Sequence, residues 1–245
     1  MLYYKKQKIA SINDIYEKYS KSEFKSPYRS TIPLIFLFKN NQIPFGTKNT
    51  SDVKYFFEFE TPVTKGIGRP SCTDLMIEYA NGCIGIEAKR TEPPYSKVKS
   101  WLGESHNKKL VLEGWLEMIN KHTGLKVKMK EISHLPYQLI HRVASACSLS
   151  KEKPEVIYIA FDLSEKMVKY YLESLEEFSR ILSHKIDLYF YSYTIEKTES
   201  WAILENLWDL GERDLSKSVI SYLKNEEPIE LTIKLKRKIN KPIDL

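Results

Sequence analysis

An Asn-Gly pair at residues 81–82 separates two runs of strand-forming residues, "TDLMIEYA" and "CIGIEAK". No other stretch of the 245-residue chain restricts the fold so tightly, because Asn-Gly between such runs is the strongest short-range hairpin signal. With Asn81 and Gly82 as the central turn residues, Tyr79 faces Ile84, Ile77 faces Ile86 and Leu75 faces Ala88. That side of the hairpin is wholly apolar and needs a core. On the other side Asp74 falls opposite Lys89 and Met76 opposite Glu87, so alternation brings Asp74, Glu87 and Lys89 onto one surface. The diagonal Asp74–Glu87 pair then has Cα atoms about 7–8 Å apart, near enough for both carboxylates to approach one cation.

The acidic-x-Lys triplet alone says little, since it occurs three times: Glu23-Phe24-Lys25, Asp52-Val53-Lys54 and Glu87-Ala88-Lys89. The third differs in its preceding Asp on a paired strand and in its strictly apolar opposite face. An opposed Asp and Lys also forms an ordinary cross-strand ion pair on a wet sheet, worth about 0.2–1 kcal/mol. That alternative leaves Glu87 unexplained.

The surrounding pattern alternates between periods. Residues 8–20 and the stretch "YRSTIPLIFLFKNN", with Ser30 or Thr31 as cap and Pro33 in the first turn, read as helices. A turn-rich stretch at Pro44–Asp52 leads to the aromatic strand "VKYFFEFETP". After the hairpin come the helices "NKKLVLEGWLEMINKH" and "LPYQLIHRVASACSL" and the buried strand "EVIYIAF". A helix capped by Ser164, the strand "IDLYFYSYTI", a helix near 214–224 and the strand "IELTIKLK" complete the chain. The expectation is one α/β domain over 1–245, with a mixed central sheet flanked by helices. Its core spans about 50–195, with N-terminal helices at 8–40 and a C-terminal extension at 196–245.

Charge is unevenly spread. Residues 89–130 hold ten Lys/Arg against four Glu, an excess equal to the chain's whole net charge of +6. Such a run favours an anionic partner, although a solvated helix face is the commoner cause. Three cysteines with no C-x-x-C argue against a disulfide framework or a Cys-rich zinc site and suit a reducing cytoplasm. The longest apolar run, "IPLIFLF", is too short to span a bilayer, so no membrane partner is expected.

An Asp on one strand and Glu-x-Lys on the next, preceded by a helix and a strand and followed by a helix, resembles the PD-(D/E)xK nuclease superfamily. "GRPSCTDLMI", "IGIEAKRTEPPY", "VLEGWL" and "PYQLIHRVASA" are similar to a restriction-endonuclease-like bacterial branch of it, over roughly residues 50–165. The usual Pro-Asp of the first motif is Thr73-Asp74 here. The resemblance implies an αβββαβ core and hydrolysis of a phosphodiester, most simply as a DNA endonuclease of restriction or defence type. Asp74, Glu87 and the Ala88 carbonyl would hold Mg²⁺, with Mn²⁺ as substitute, and Lys89 would orient water or stabilise charge. Glu60, alternating with Glu58 on the neighbouring strand, is the preferred third carboxylate. Gln138 is the polar residue offered by the following helix; a solvent-facing polar stripe is its alternative. His141 reads as a hydrogen-bonded partner rather than a ligand. Arg69, Arg90, Lys97, Lys99 and Arg142 are candidate phosphate contacts. The Trp101/Trp115 pair is assigned to the core rather than to base stacking. A homodimer is admitted, and the competing function is an inactive nucleic-acid-binding or assembly module on the same fold.

Overall fold

Two long strands, β4 (Ser71–Tyr79) and β5 (Gly82–Lys89), form the hairpin around which the other elements assemble. The structure is a computed structural model that describes residues 1–44, 52–225 and 229–239. The expected turn-rich stretch at Pro44–Asp52 lies largely outside them. The strands β1 (Leu2–Tyr4), β2 (Gln7–Ile9) and β3 (Lys54–Thr61) lie on one side of the hairpin. On the other side lie β6 (Glu155–Phe161), β7 (Asp187–Glu196) and β8 (Glu230–Lys238). Together they make one eight-stranded sheet in the order β2-β1-β3-β4-β5-β6-β7-β8. It is mixed: β1–β3, β5–β6 and β6–β7 run parallel and the other neighbours antiparallel. Every residue of β5 and β6 is buried, as parallel strands covered on both faces require.

Two cores sandwich the sheet. One holds Leu75, Ile77, Ile84 and Ile86 of the hairpin. Over them pack α1 (Ile15–Lys18), α2 (Thr31–Lys39), α7 (Glu199–Asp209) and α8 (Ser216–Asn225). The other takes Met76 and Cys83 from the same strands, covered by α4 (His106–Thr123), α5 (Tyr137–Leu149) and α6 (Glu165–Ile181). A short helix, α3 (Val98–Leu102), joins β5 to α4. The described parts of the C-terminal extension, residues 196–225 and 229–239, pack into the fold: α7 and α8 close one core and β8 forms the sheet edge. Among the described residues no helix is long and apolar enough to cross a membrane.

Two expectations need correction. The helix at 8–20 is cut to a 3-10 turn at Ile12–Asp14 and the single turn of α1, while residues 7–9 are strand. The Asp14 carboxylate accepts the Ala10 and Ser11 N–H groups at 2.8 and 3.0 Å, which fixes the helical start there. The hairpin register is also shifted by two residues: Tyr79 pairs with Gly82, Ile77 with Ile84 and Leu75 with Ile86. Ala80 and Asn81 form the tip, because the Tyr79 ring lies directly over Gly82. A Cβ there would stand 2.5 Å from the Tyr79 hydroxyl oxygen. Gly82 therefore serves close packing rather than a left-handed turn. A shift of two preserves which side chain faces which core, so the apolar face is as expected.

A tighter approach occurs at Gly114, where an added Cβ would sit 2.6 Å from Thr64 Oγ1 and 3.1 Å from the Lys65 backbone nitrogen. Gly114→Ala is expected to destabilise the protein by about 1–3 kcal/mol through overpacking, against a helix-propensity gain of about 1 kcal/mol. Urea denaturation reads this directly, and an unchanged or higher midpoint would contradict it. Gly85→Ala, whose new Cβ would meet nothing nearer than 3.7 Å, is the control.

Candidate functional site

Strict alternation in β5 puts Glu87 and Lys89 on the α5 side of the sheet and Ala88 on the other. The neighbouring strands do not alternate strictly. Phe56 and Phe59 both pack toward α4 and α5 although Phe57 lies in the opposite core. On β4, Met76 and Thr73 likewise share the α5 side, while Leu75 does not. The change of face falls at Glu58, in the left-handed region at φ 53°, and at Asp74. The ladder passes from Phe57–Leu75 to Phe59–Thr73 without pairing these two residues.

At that break Asp74 turns toward β5, and its Oδ2 accepts the Ala88 N–H at 2.7 Å. Since N–H and C=O of one extended residue point to the same strand edge, the Ala88 carbonyl also faces Asp74. Continued by one residue, the observed register sets Asp74 opposite Glu87, not opposite Lys89 as expected.

Glu87 is the centre of the cluster. Its Oε1 accepts Lys89 Nζ at 2.7 Å and Gln138 Nε2 at 2.5 Å, and its Oε2 accepts Arg142 Nε. Arg142 Nη1 donates to Ser71 Oγ at 2.8 Å and lies 3.2 Å from His141 Nδ1. Because a guanidinium only donates, Nδ1 is the accepting nitrogen, and Ser71 Oγ completes the link by donating to it at 2.8 Å. One turn farther, Ser145 meets Thr61 and Thr73. Gln138, Arg142 and Ser145 thus form a stripe of α5 aimed into the sheet, not toward solvent.

The cluster is nearly closed to water: Glu87 is 2% exposed, Gln138 3%, Lys89 5% and Arg142 6%, with only Asp74 partly open. Tyr95 covers Lys89, its ring centroid 5.3 Å from Nζ. A cavity of about 10 Å³, room for roughly one water, lies between Gln138, Tyr95, Tyr158 and Tyr171.

Burial would push the Glu87 carboxyl up, but Arg142 and Lys89 more than offset it and hold it below its ordinary value. Burial and the neighbouring Glu87 charge raise Asp74 well above the usual carboxylate range, with Arg142 and Lys89 only partly compensating. Burial works against the Lys89 charge, but Glu87 and Asp74 outweigh it, so Lys89 stays protonated and can act only as a donor and a charge. His141 is kept neutral by burial and by the Arg142 and Lys89 charges.

The other expected site residues are placed elsewhere. Glu60 points away to Lys5 at 2.6 Å. Glu58 is the half-buried carboxylate of β3 that turns inward, accepting the Cys72 thiol at 2.9 Å and raised by its partial burial. Arg90 is 4% exposed and makes structural bonds to the Pro27 carbonyl at 2.5 Å and to Glu205 at 2.8 Å, so it is no phosphate contact. Arg142 is likewise inside the cluster rather than on a nucleic-acid surface. Arg69, Lys97 and Lys99 are exposed. Trp115 is buried, donating to the Tyr137 hydroxyl at 2.9 Å, and Trp101 stacks on Tyr137 at 3.6 Å. Ser71, Tyr95 and Ser145 had no distinguishing mark in the sequence.

In donor chemistry Asp74, Glu87 and the Ala88 carbonyl could offer oxygen atoms from adjoining strands to a hard divalent cation. Among the described residues no hydrogen bond reaches Asp74 Oδ1. Nor do they contain any group of three or more His, Cys, Asp or Glu able to hold a metal. A cation at Glu87 therefore relies on the backbone carbonyl and water for its remaining ligands, and Arg142 must release Oε2.

Residues 8–197 match the family described as a domain of unknown function, DUF6946. The chain belongs to this family. No curated protein and no solved structure matches it.

Proposed function

We propose that this DUF6946 protein is a metal-dependent phosphodiester hydrolase acting on DNA, with a restriction-endonuclease-like fold. The observation that carries the reading is the meeting of Asp74, the Ala88 backbone and Glu87 at one level of the β4–β5 hairpin, with Lys89 beside them. The order α2, β3, β4, β5, helices, β6 supports it, being the αβββαβ succession of that superfamily. Mg²⁺ or Mn²⁺ bound there would supply Lewis acidity toward a phosphoryl oxygen and a more acidic water. Asp74 and Glu87 hold the site, and Gln138 orients Glu87. Lys89 presents its ammonium to the developing negative charge. Tyr95, whose ring covers Lys89, must move aside for a polyanion to enter.

A second reading, a binding module without chemistry, is favoured by one specific observation: three donors already occupy both oxygens of Glu87. Incubation with plasmid, linear and single-stranded DNA, each with Mg²⁺, Mn²⁺ and chelator, separates the two. The hydrolase reading expects metal-dependent cleavage, reduced at least about a hundredfold in Lys89→Ala. Salt-sensitive DNA binding without cleavage under any metal would replace it by the second reading.

A further inference from the structure

At the opposite end of the hairpin lies a cavity of about 840 Å³ that the acid–lysine cluster does not use. Its walls come from the C-terminal ends of α4 and α5, the segment before β6 and the bend after α6. Four lysines line it, Lys121, Lys151, Lys153 and Lys185, together with His122 and His184. The one acid in the lining is Glu152. Lys153 is neutralised by Asp187 at 2.7 Å, whereas Lys121, Lys151 and Lys185 make no ion pair among the described residues. Ser148 and Ser150 add hydroxyl groups to the same wall.

The walls are fixed rather than loose. The Asn81 carbonyl at the hairpin tip accepts the Lys151 and Glu152 N–H groups at 3.1 and 2.9 Å, holding this segment against the turn. Ser183 and His184 both take left-handed backbone angles, φ 47° and 56°, in the bend that carries His184 and Lys185 to the rim. Non-glycine residues held in that region are strained and tend to gather at ligand sites. Ser179 Oγ and His184 Nδ1, 2.8 Å apart, set the imidazole.

A concave site of this size matches small-ligand pockets of about 300–1,000 Å³, not a flat backbone track. Its excess of unpaired ammonium groups, with imidazoles and hydroxyls between them, is complementary to phosphate. We infer that this cavity binds a phosphorylated ligand of nucleotide size. From Asn81 to Glu87 the strand runs about 20 Å, so the site is separate from the candidate hydrolytic cluster, and the inference does not rest on the hydrolase reading.

Calorimetric titration of the full chain tests it with inorganic tripolyphosphate, with ATP, and with a short oligonucleotide with and without a 5′-phosphate. ATP and tripolyphosphate binding would identify a free nucleotide as the source; binding only of the 5′-phosphorylated oligonucleotide would identify a chain end. In either case Lys151→Glu/Lys185→Glu, at exposed loop positions, is expected to weaken binding at least about tenfold. Lys18→Glu on the opposite face and Asp74→Asn should leave it unchanged. No binding of any probe by the unaltered protein at about 1 mM, or affinity indifferent to the double charge reversal, overturns the inference.

Discussion

Glu87→Ala is expected to destabilise the protein by about 3–5 kcal/mol, the loss typical when one partner of a buried ion pair is removed. The effect is large because two cations lose their counter-charge together. Lys89 and Arg142 are both buried, and Glu87 is the carboxylate to which each is bonded. Glu87→Gln keeps an acceptor for one of them and should lose less. Adding Arg142→Met to Glu87→Gln should recover part of the loss by removing a stranded guanidinium. The pH dependence has a definite sign. Glu87 sits below its unfolded value of 4.5, so its contribution is fully present above that pH and is lost as pH falls through the folded value. Urea denaturation at several pH values should therefore show wild type and Glu87→Gln converging in acid. A constant gap down to pH values well below 4.5 would contradict it.

Asp74→Asn is expected to act in the opposite sense on stability while removing at least about a hundredfold of any hydrolytic rate. The substitution keeps the acceptor for the Ala88 N–H and discards the charge. Because burial and Glu87 raise Asp74 above its unfolded value of 3.8, its ionised form opposes folding. Its favourable contribution is complete below pH 3.8 and disappears as pH rises through the folded value. The Asn variant should thus gain on wild type as the solution approaches neutrality. A variant both more stable and inert is what a strained functional carboxylate yields; a variant that is less stable at neutral pH would make Asp74 a structural residue.

The sequence made the hairpin's two faces legible because side chains in a strand alternate with a period of two, and β5 obeys that period throughout. Its register was not legible. Asn-Gly signals a turn, yet packing of Tyr79 over Gly82 moved the tip back to Ala80 and Asn81. The change of face at Glu58 and Asp74 left no mark either, since Glu58 enters the left-handed region without the glycine that usually announces it. That break sends Glu60 to Lys5 and keeps Glu58 near the cluster, reversing the choice between them.

The spacing of Gln138 and Arg142 was readable, but their direction was not. From Gln138 to Cys147 every residue of α5 is buried, so the helix shows no wet face from which the polar stripe could be oriented. The place of Arg90 was legible in the sequence. It follows Lys89 in an alternating strand and therefore belongs on the opposite side, where Glu205 and Pro27 hold it.

The most direct measurement is the anomalous scattering of Mn²⁺ in crystals of the intact protein. A peak between Asp74, Glu87 and the Ala88 carbonyl is expected, with Arg142 withdrawn from Glu87. Density with Arg142 still bound to Glu87 and no Mn²⁺ peak, from protein that also leaves DNA uncut, would contradict the assignment of this cluster as a hydrolytic centre.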